Sequence, residues 1–143
     1  MAITQTLTDA FKQDCLDGGH NLGNGGNTLK IALYTSSASL GATTATYTTS
    51  AEVSGTGYTA GGATLSSQAV AYDSTNNVAY FDAADPSWSS ATITARGAII
   101  YNNSKSNASI AVLDFGSDYS SSNGTFQVQL PSAAYNTALI RIS

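Results

Sequence analysis

Residues 47–62 read Tyr-Thr-Thr-Ser-Ala-Glu-Val-Ser-Gly-Thr-Gly-Tyr-Thr-Ala-Gly-Gly. Glycines at 55, 57, 61 and 62 interrupt the stretch, with tyrosines at 47 and 58 and one carboxylate, Glu52. Glycine at this density admits positive φ angles and close approach of backbones. β-Branched and aromatic residues lie between the glycines, so the segment reads as a shaped, folded-back corner and not as a flexible linker. It joins two stretches of strand character, residues 28–35 and residues 63–72. A corner of this kind belongs to a β protein.

Outward from the corner, apolar alternation recurs. Leu29, Ile31 and Leu33 alternate with Lys30, Ala32 and Tyr34, the period of a half-buried strand. Residues 64–72 and 77–82, the latter carrying Val78 and Tyr80, flank the turn Asp73-Ser74-Thr75-Asn76 and predict a hairpin. Pro86 breaks the pattern, and residues 91–101 then make the longest apolar strand. Uninterrupted alternation there puts Ile93, Ala95, Gly97, Ile99 and Tyr101 on one side, with Thr94, Arg96, Ala98 and Ile100 on the other. Residues 109–115 follow a polar turn, residues 117–123 read as a Ser-rich loop, and residues 125–130 and 138–142 alternate again. About seven to eight short strands joined by Gly, Ser and Asn turns, without a repeat of fixed period, predict an all-β fold. The expected architecture is an antiparallel, jelly-roll-like β-sandwich.

One short N-terminal helix joins it. Thr6-Leu7-Thr8-Asp9 resembles a capping box with Asp in place of Glu, predicting a helix over residues 7–17 stopped by Gly18-Gly19. Its Leu7, Phe11 and Cys15 stripe is expected to pack on a sheet, which makes Cys15 a small core residue. Residues 18–27 read as a long exposed Gly/Asn connection. They lack the Gly-Lys-Ser/Thr ending of a phosphate loop and follow a helix where that loop needs a strand. Residues 1–27 are thus an arm, helix and loop on a single domain spanning residues 1–143.

At 143 residues the chain is long enough to bury a core without staples. Charged residues make up 10% of it, against roughly 25% in an average globular chain. Such a surface is poorly defended against self-association and suits a protein packed against neighbours. A net charge of -4 with five basic residues argues against nucleic acid, whose phosphates need clustered Lys and Arg. The N-terminal residues lack the basic and apolar regions of a signal peptide, and no run approaches the roughly 18 apolar residues of a membrane helix. No membrane partner is expected. A single cysteine permits no internal disulfide and fits folding in a cytoplasm.

Few side chains offer chemistry. The only histidine, His20, lies past the helix stop and is read as solvated, since imidazolium suits a helix C-terminus. No Gly-X-Ser-X-Gly elbow accompanies it. Asp114-Phe115-Gly116 matches the kinase metal-binding triplet without the nucleotide loop that would give it meaning. Asp82 and Asp85 lack the spacing of a calcium loop. No catalytic residue, cofactor site or metal ligand is assigned, and an enzyme is not expected. Arg96 stands out because a charge inside the most apolar strand needs a partner. Glu52, Asp82 and Asp114 are the candidates. Glu52 is taken as the partner in a structural ion pair, and Arg96→Ala is expected to loosen the fold or the assembly. Trp88 and the eight tyrosines admit either a sugar platform or apolar packing. An exposed Trp88 favours the first and a buried Trp88 the second.

Four segments occur in order: Lys30-Ile31-Ala32-Leu33-Tyr34-Thr35, Glu52-Val53-Ser54-Gly55-Thr56-Gly57-Tyr58-Thr59-Ala60-Gly61-Gly62, Ala95-Arg96-Gly97-Ala98-Ile99-Ile100-Tyr101-Asn102 and Ala111-Val112-Leu113-Asp114-Phe115-Gly116. Together they resemble a family of small tailed-bacteriophage virion proteins, some members of which are head decoration (cement) proteins. The resemblance implies a non-enzymatic structural protein on the capsid surface of the virion, made in the host bacterial cytoplasm. Its partners would be the major capsid protein and further copies of itself in a homotrimer. Ala2, Ile3 and Thr4 of the arm, with Tyr58 and Trp88, are the candidate interface residues. The alternatives are a neck, tail or fibre-associated virion protein, or a carbohydrate-binding module for host attachment.

Overall fold

A computed structural model describes residues 2–143. Among these lie β1 (Thr6–Leu7), α1 (Asp9–Leu16), β2 (Leu29–Tyr34), β3 (Ala63–Thr64), β4 (Ala69–Asp73), β5 (Val78–Asp82), β6 (Ser87–Asn102), β7 (Ala108–Gln127) and β8 (Ile140–Ile142). One antiparallel sheet has the spatial order β1-β7-β6-β2-β3, and a smaller one the order β4-β5-β8. The all-β antiparallel sandwich expected from the alternation is the observed architecture.

The centre of the larger sheet is buried on both faces, unlike the half-buried strand predicted at residues 28–35. Leu29, Ile31, Leu33, Ala98, Ile100 and Leu113 join Phe11, Phe81 and Ile140 in the main core, between the sheets and beneath α1. Ala32, Tyr34, Ile99, Tyr101 and Val112 form a second layer with Ala38 and Leu40, and Ile3, Tyr47 and Ala51 pack on it. Burying each large apolar side chain contributes about 1.5–3 kcal/mol. That layer gives residues 35–51, which contain no regular strand, a fixed course across the sheet.

Strict alternation fails inside β6. Ala91, Ile93 and Ala95 belong to the main core and so do Ala98 and Ile100, whereas Ile99 and Tyr101 line the second layer. The register with β7 shifts between Ala95 and Gly97. There β6 advances from Ala95 to Gly97 while β7 spans Asp114 to Tyr119, and across such an irregularity the side chains can change face. Ile93 and Ala95 therefore lie on the face opposite Ile99 and Tyr101.

Residues 117–123, predicted as a loop from their serines, lie inside the 20-residue β7 and pair with the first half of β6. Ser121 Oγ donates to the Ala91 carbonyl at 2.8 Å, and the Asn123 N–H donates to Thr92 Oγ1 at 2.9 Å. Partner-strand pairing here outweighs a weak local strand propensity. The reverse holds at residues 63–72. Ser67 has φ 53°, and the predicted strand is split into β3 and β4, one in each sheet. The turn after Asp73 does close β4 on β5, with Asp73 opposite Val78.

Helix α1 begins later than the capping-box reading. Thr8, fully buried, is the N-cap, and its Oγ1 accepts the Phe11 N–H at 3.2 Å. Thr6 and Leu7 pair with Val112 and Ala111 as a strand. Eight residues make about two turns, and Phe11 is the one residue of the stripe fully buried. Cys15 is exposed and is not a core residue. The segment at residues 2–4 is not a projecting arm either. Ile3 forms a parallel bridge with Leu40, backed by Thr4 N–H to the Leu40 carbonyl at 2.9 Å and Leu40 N–H to the Ala2 carbonyl at 3.0 Å.

Candidate functional site

Glu52 closes the corner at residues 47–62. Its Oε2 accepts the Tyr47 hydroxyl, and its Oε1 accepts both the Tyr58 hydroxyl and the Gly61 N–H, each at 2.7 Å. Hydrogen bonds to a carboxylate are short and roughly twice as strong as neutral ones. The Tyr58 oxygen also accepts the Leu33 N–H at 2.9 Å, tying the corner to β2. Tyr101 donates to the Gly61 carbonyl at 2.6 Å, and its ring stacks on Tyr47 with centroids 4.8 Å apart. Gly62 has φ 80°, and a Cβ there would collide with the Ile31 carbonyl. Burial, with the Glu52 carboxylate adding to it, pushes the hydroxyls of Tyr47 and Tyr58 well above the ordinary phenol range. Tyr34, buried with its hydroxyl on the Thr48 carbonyl, is raised as well.

Glu52 is therefore not the partner of Arg96. The guanidinium faces Asp114 at 3.6 Å and Asp118 at 3.8 Å, with 36% of the side chain exposed. The reason is topological. Asp114 and Asp118 belong to β7 on one side of β6, while Glu52 bridges to Tyr34 of β2 on the other. Asp114, one of the three candidates, is a partner of Arg96, and the candidate interface residues fall in varied settings. Trp88 is buried between Tyr58 at 5.9 Å and Phe126 at 6.3 Å, so it presents no platform to a sugar and no surface to a partner. Tyr58 is half-buried and its hydroxyl is committed to Glu52. Ala2 and Thr4 are exposed but held by Leu40, and Ile3 packs on the second layer.

His20 is not solvated. Its side chain is 1% exposed, lies against Phe11 and accepts Asn102 Nδ2 at Nδ1, 2.9 Å away. In the neutral ring the proton then sits on Nε2, which lies 3.3 Å from Asp14 Oδ2 without a hydrogen-bond partner among the described residues. Burial lowers the affinity of the ring for a second proton, and Asp14 opposes that shift only in part. Asn102, fully buried, also donates to Asn27 Oδ1 at 2.9 Å. Gln68 Nε2 reaches the carbonyls of Leu22, Gly23 and Asn27 at 3.0–3.2 Å. The Gly/Asn segment is thus a pinned loop. Nothing in its composition named Asn102 or Gln68 as anchors, because both act from distant parts of the chain.

Among the clefts on the described surface, two stand out. One, of about 800 Å³, runs along the outer half of β7 and is lined by Phe115, Tyr119, Gln127, Gln129 and Arg141 among others. The other, of about 490 Å³, lies between α1 and the smaller sheet, and includes Phe11, His20, Val70 and Ile142. Beside the second cleft the smaller sheet exposes Val70, Tyr72 and Ile142, each more than half accessible. Tyr72 and Ile142 both pair with Ala79, and Val70 pairs with Phe81, two residues along β5. These three side chains therefore share one face.

Among the described residues no three His, Cys, Asp or Glu side chains gather as a metal-ligand set, and no helix is long and apolar enough to cross a membrane. The fold and its sites define a two-sheet antiparallel β-sandwich with partly buried polar latches and open clefts. No family model, curated protein or solved structure matches the chain.

Proposed function

We infer that the protein is a non-enzymatic structural component of a bacteriophage virion, a decoration protein that binds the outer face of the major capsid shell as a homotrimer. The class comes from the four resembling segments. The observation that carries the capsid-binding part is the exposed apolar edge formed by Val70, Tyr72 and Ile142, where the core-facing side of the smaller sheet opens beside α1. Contiguous apolar surface left in water marks a contact site for another protein. A surface with few charges adds little desolvation cost when such a contact forms. The mechanism is mechanical: a sandwich with its loops pinned lies across the junction of capsid subunits and ties them together. Many such contacts, each small, together stabilise a shell. Because the footprint spans several subunits, binding follows expansion of the shell.

Cryo-electron microscopy of the parent particle tests the reading. The expected result is density for this sandwich on the outer capsid surface at local three-fold axes, with the Val70/Tyr72/Ile142 edge toward the shell. Density at the neck or tail, or absence from the particle, overturns it. A Tyr72→Asp variant that melts like wild type is expected to lose capsid occupancy.

A further inference from the structure

The geometry points to a saccharide-binding site in the cleft along the outer half of β7, one that takes a short neutral oligosaccharide. Its volume of about 800 Å³ lies within the usual range of small-ligand sites. Tyr119 is 54% exposed and is braced edge-on by Phe115, with ring centroids 6.5 Å apart at 75°. An aromatic ring held in place and still half in water is a ready partner for the apolar C–H face of a sugar. Gln127 and Gln129 line the same cleft, and their side chains make no hydrogen bond among the described residues. Each amide carries both donors and an acceptor, which is what a hydroxyl group needs. Arg141 commits Nη1 to the Asn136 carbonyl at 3.0 Å and has further N–H groups to offer.

The charge pattern selects among ligands. Asp114, also on the cleft wall, is paired with Arg96, and Arg141 supplies a single opposing charge. A polyanion would need several cations where the cleft has one, and a cation would meet Arg141. A hydrocarbon chain would bury the two glutamine amides without partners. A neutral polyhydroxyl compound satisfies both the ring and the amides. Trp88, the aromatic first in line as a sugar platform, is not involved, being buried. The site is independent of the virion reading and of the apolar edge of the smaller sheet.

The test uses the full chain on an array of neutral oligosaccharides built from hexoses and N-acetylhexosamines, with calorimetry on those retained. The expected result is saturable binding of at least one, weakened about tenfold or more in Tyr119→Ala and weakened also in Gln129→Ala. Leu16→Ala, which removes an exposed apolar side chain from α1, is expected to bind like wild type. No retention across the array at millimolar ligand overturns the proposal. So does wild-type affinity in both cleft variants, or an equal loss in Leu16→Ala.

Discussion

Two partly buried polar clusters hold loops against the larger sheet, and they differ in how completely their hydrogen bonds are made. At Glu52, three donors from two tyrosines and a glycine meet the two oxygens of one carboxylate. At His20, Asn102 satisfies one ring nitrogen and the other lies near Asp14 without a hydrogen bond. An unmade buried bond costs more than a made one returns, so the second cluster is the weaker latch. The titrating groups differ as well. Phenols respond to alkali and imidazole to acid, so the two latches are expected to loosen at opposite ends of the pH range.

The largest expected effect comes from prising the first latch off the sheet. Gly62→Ala forces a side chain into the Ile31 carbonyl at a positive φ, and urea unfolding is expected to show a loss of about 3 kcal/mol. Gly18→Ala is the control, since its φ is also positive but the space around it is open. There only the left-handed conformation is penalised, at about 1–2 kcal/mol. Removing the acceptor comes next. Glu52→Ala leaves two hydroxyls and an N–H without their partner and is expected to cost about 2 kcal/mol, with Glu52→Gln intermediate because the amide keeps one acceptor oxygen.

Titration then separates the clusters. In the folded chain the buried phenols keep their protons to a higher pH than in the unfolded chain. Between those values the folded state holds more protons, so stability falls as pH rises above about 10. For His20 the sign reverses. The unfolded chain binds a proton where the folded one does not, so stability is lost as pH falls below about 6.5. Urea midpoints taken from pH 4 to 11 should therefore form a plateau with two shoulders. Tyr47→Phe should shrink the alkaline shoulder, and His20→Gln should remove His20's share of the acid one. Unchanged shoulders would mean that these groups are not the sensitive points of the latches.

The smallest effect is expected at Arg96. Its carboxylate contacts are longer than 3.5 Å and a third of its side chain is exposed, so Arg96→Ala should change stability by about 1 kcal/mol or less. The contrast with Glu52→Ala is informative: a charge in an apolar strand matters less here than a carboxylate in a glycine-rich loop. A drop in melting temperature for Arg96→Ala as large as that for Glu52→Ala would reverse this ranking.

The strands were legible wherever apolar residues recur at period two between turn signals. β2, the β4–β5 hairpin and the centre of β6 all follow from Leu29/Ile31/Leu33, from the Asp73 turn and from Ile99/Tyr101. Legibility ended where a partner strand or a second layer intervened. Ser117 to Gly124 carry no strand signal, yet β6 provides their pairing. Thr8 looks like an interior helical residue until Ser109 and Ile110 are seen beside it. The cleft at Tyr119 and Gln129 had no signal in spacing at all, because its walls come from the outer half of β7 and from the segment leading to β8.

By itself, the sequence determined the class of fold: apolar residues at period two, glycine and asparagine at the turns, and too few charges for a phosphate-binding surface. These are local properties, set by side-chain chemistry and by which φ angles a residue tolerates. It also marked residues 47–62 as a shaped corner, and glycines 57, 61 and 62 do take positive φ there. Only the tertiary structure decided which carboxylate meets which donor, which tyrosines face water and which face of each strand turns inward after a register shift. Those outcomes depend on pairings such as Glu52 with Tyr47 and Tyr58 across the corner, Arg96 with Asp114 across two strands, and His20 with Asn102 across most of the chain. The first of these is set by how the corner folds back on itself, and the other two by which distant segments the sheet brings side by side, neither of which the local pattern specifies.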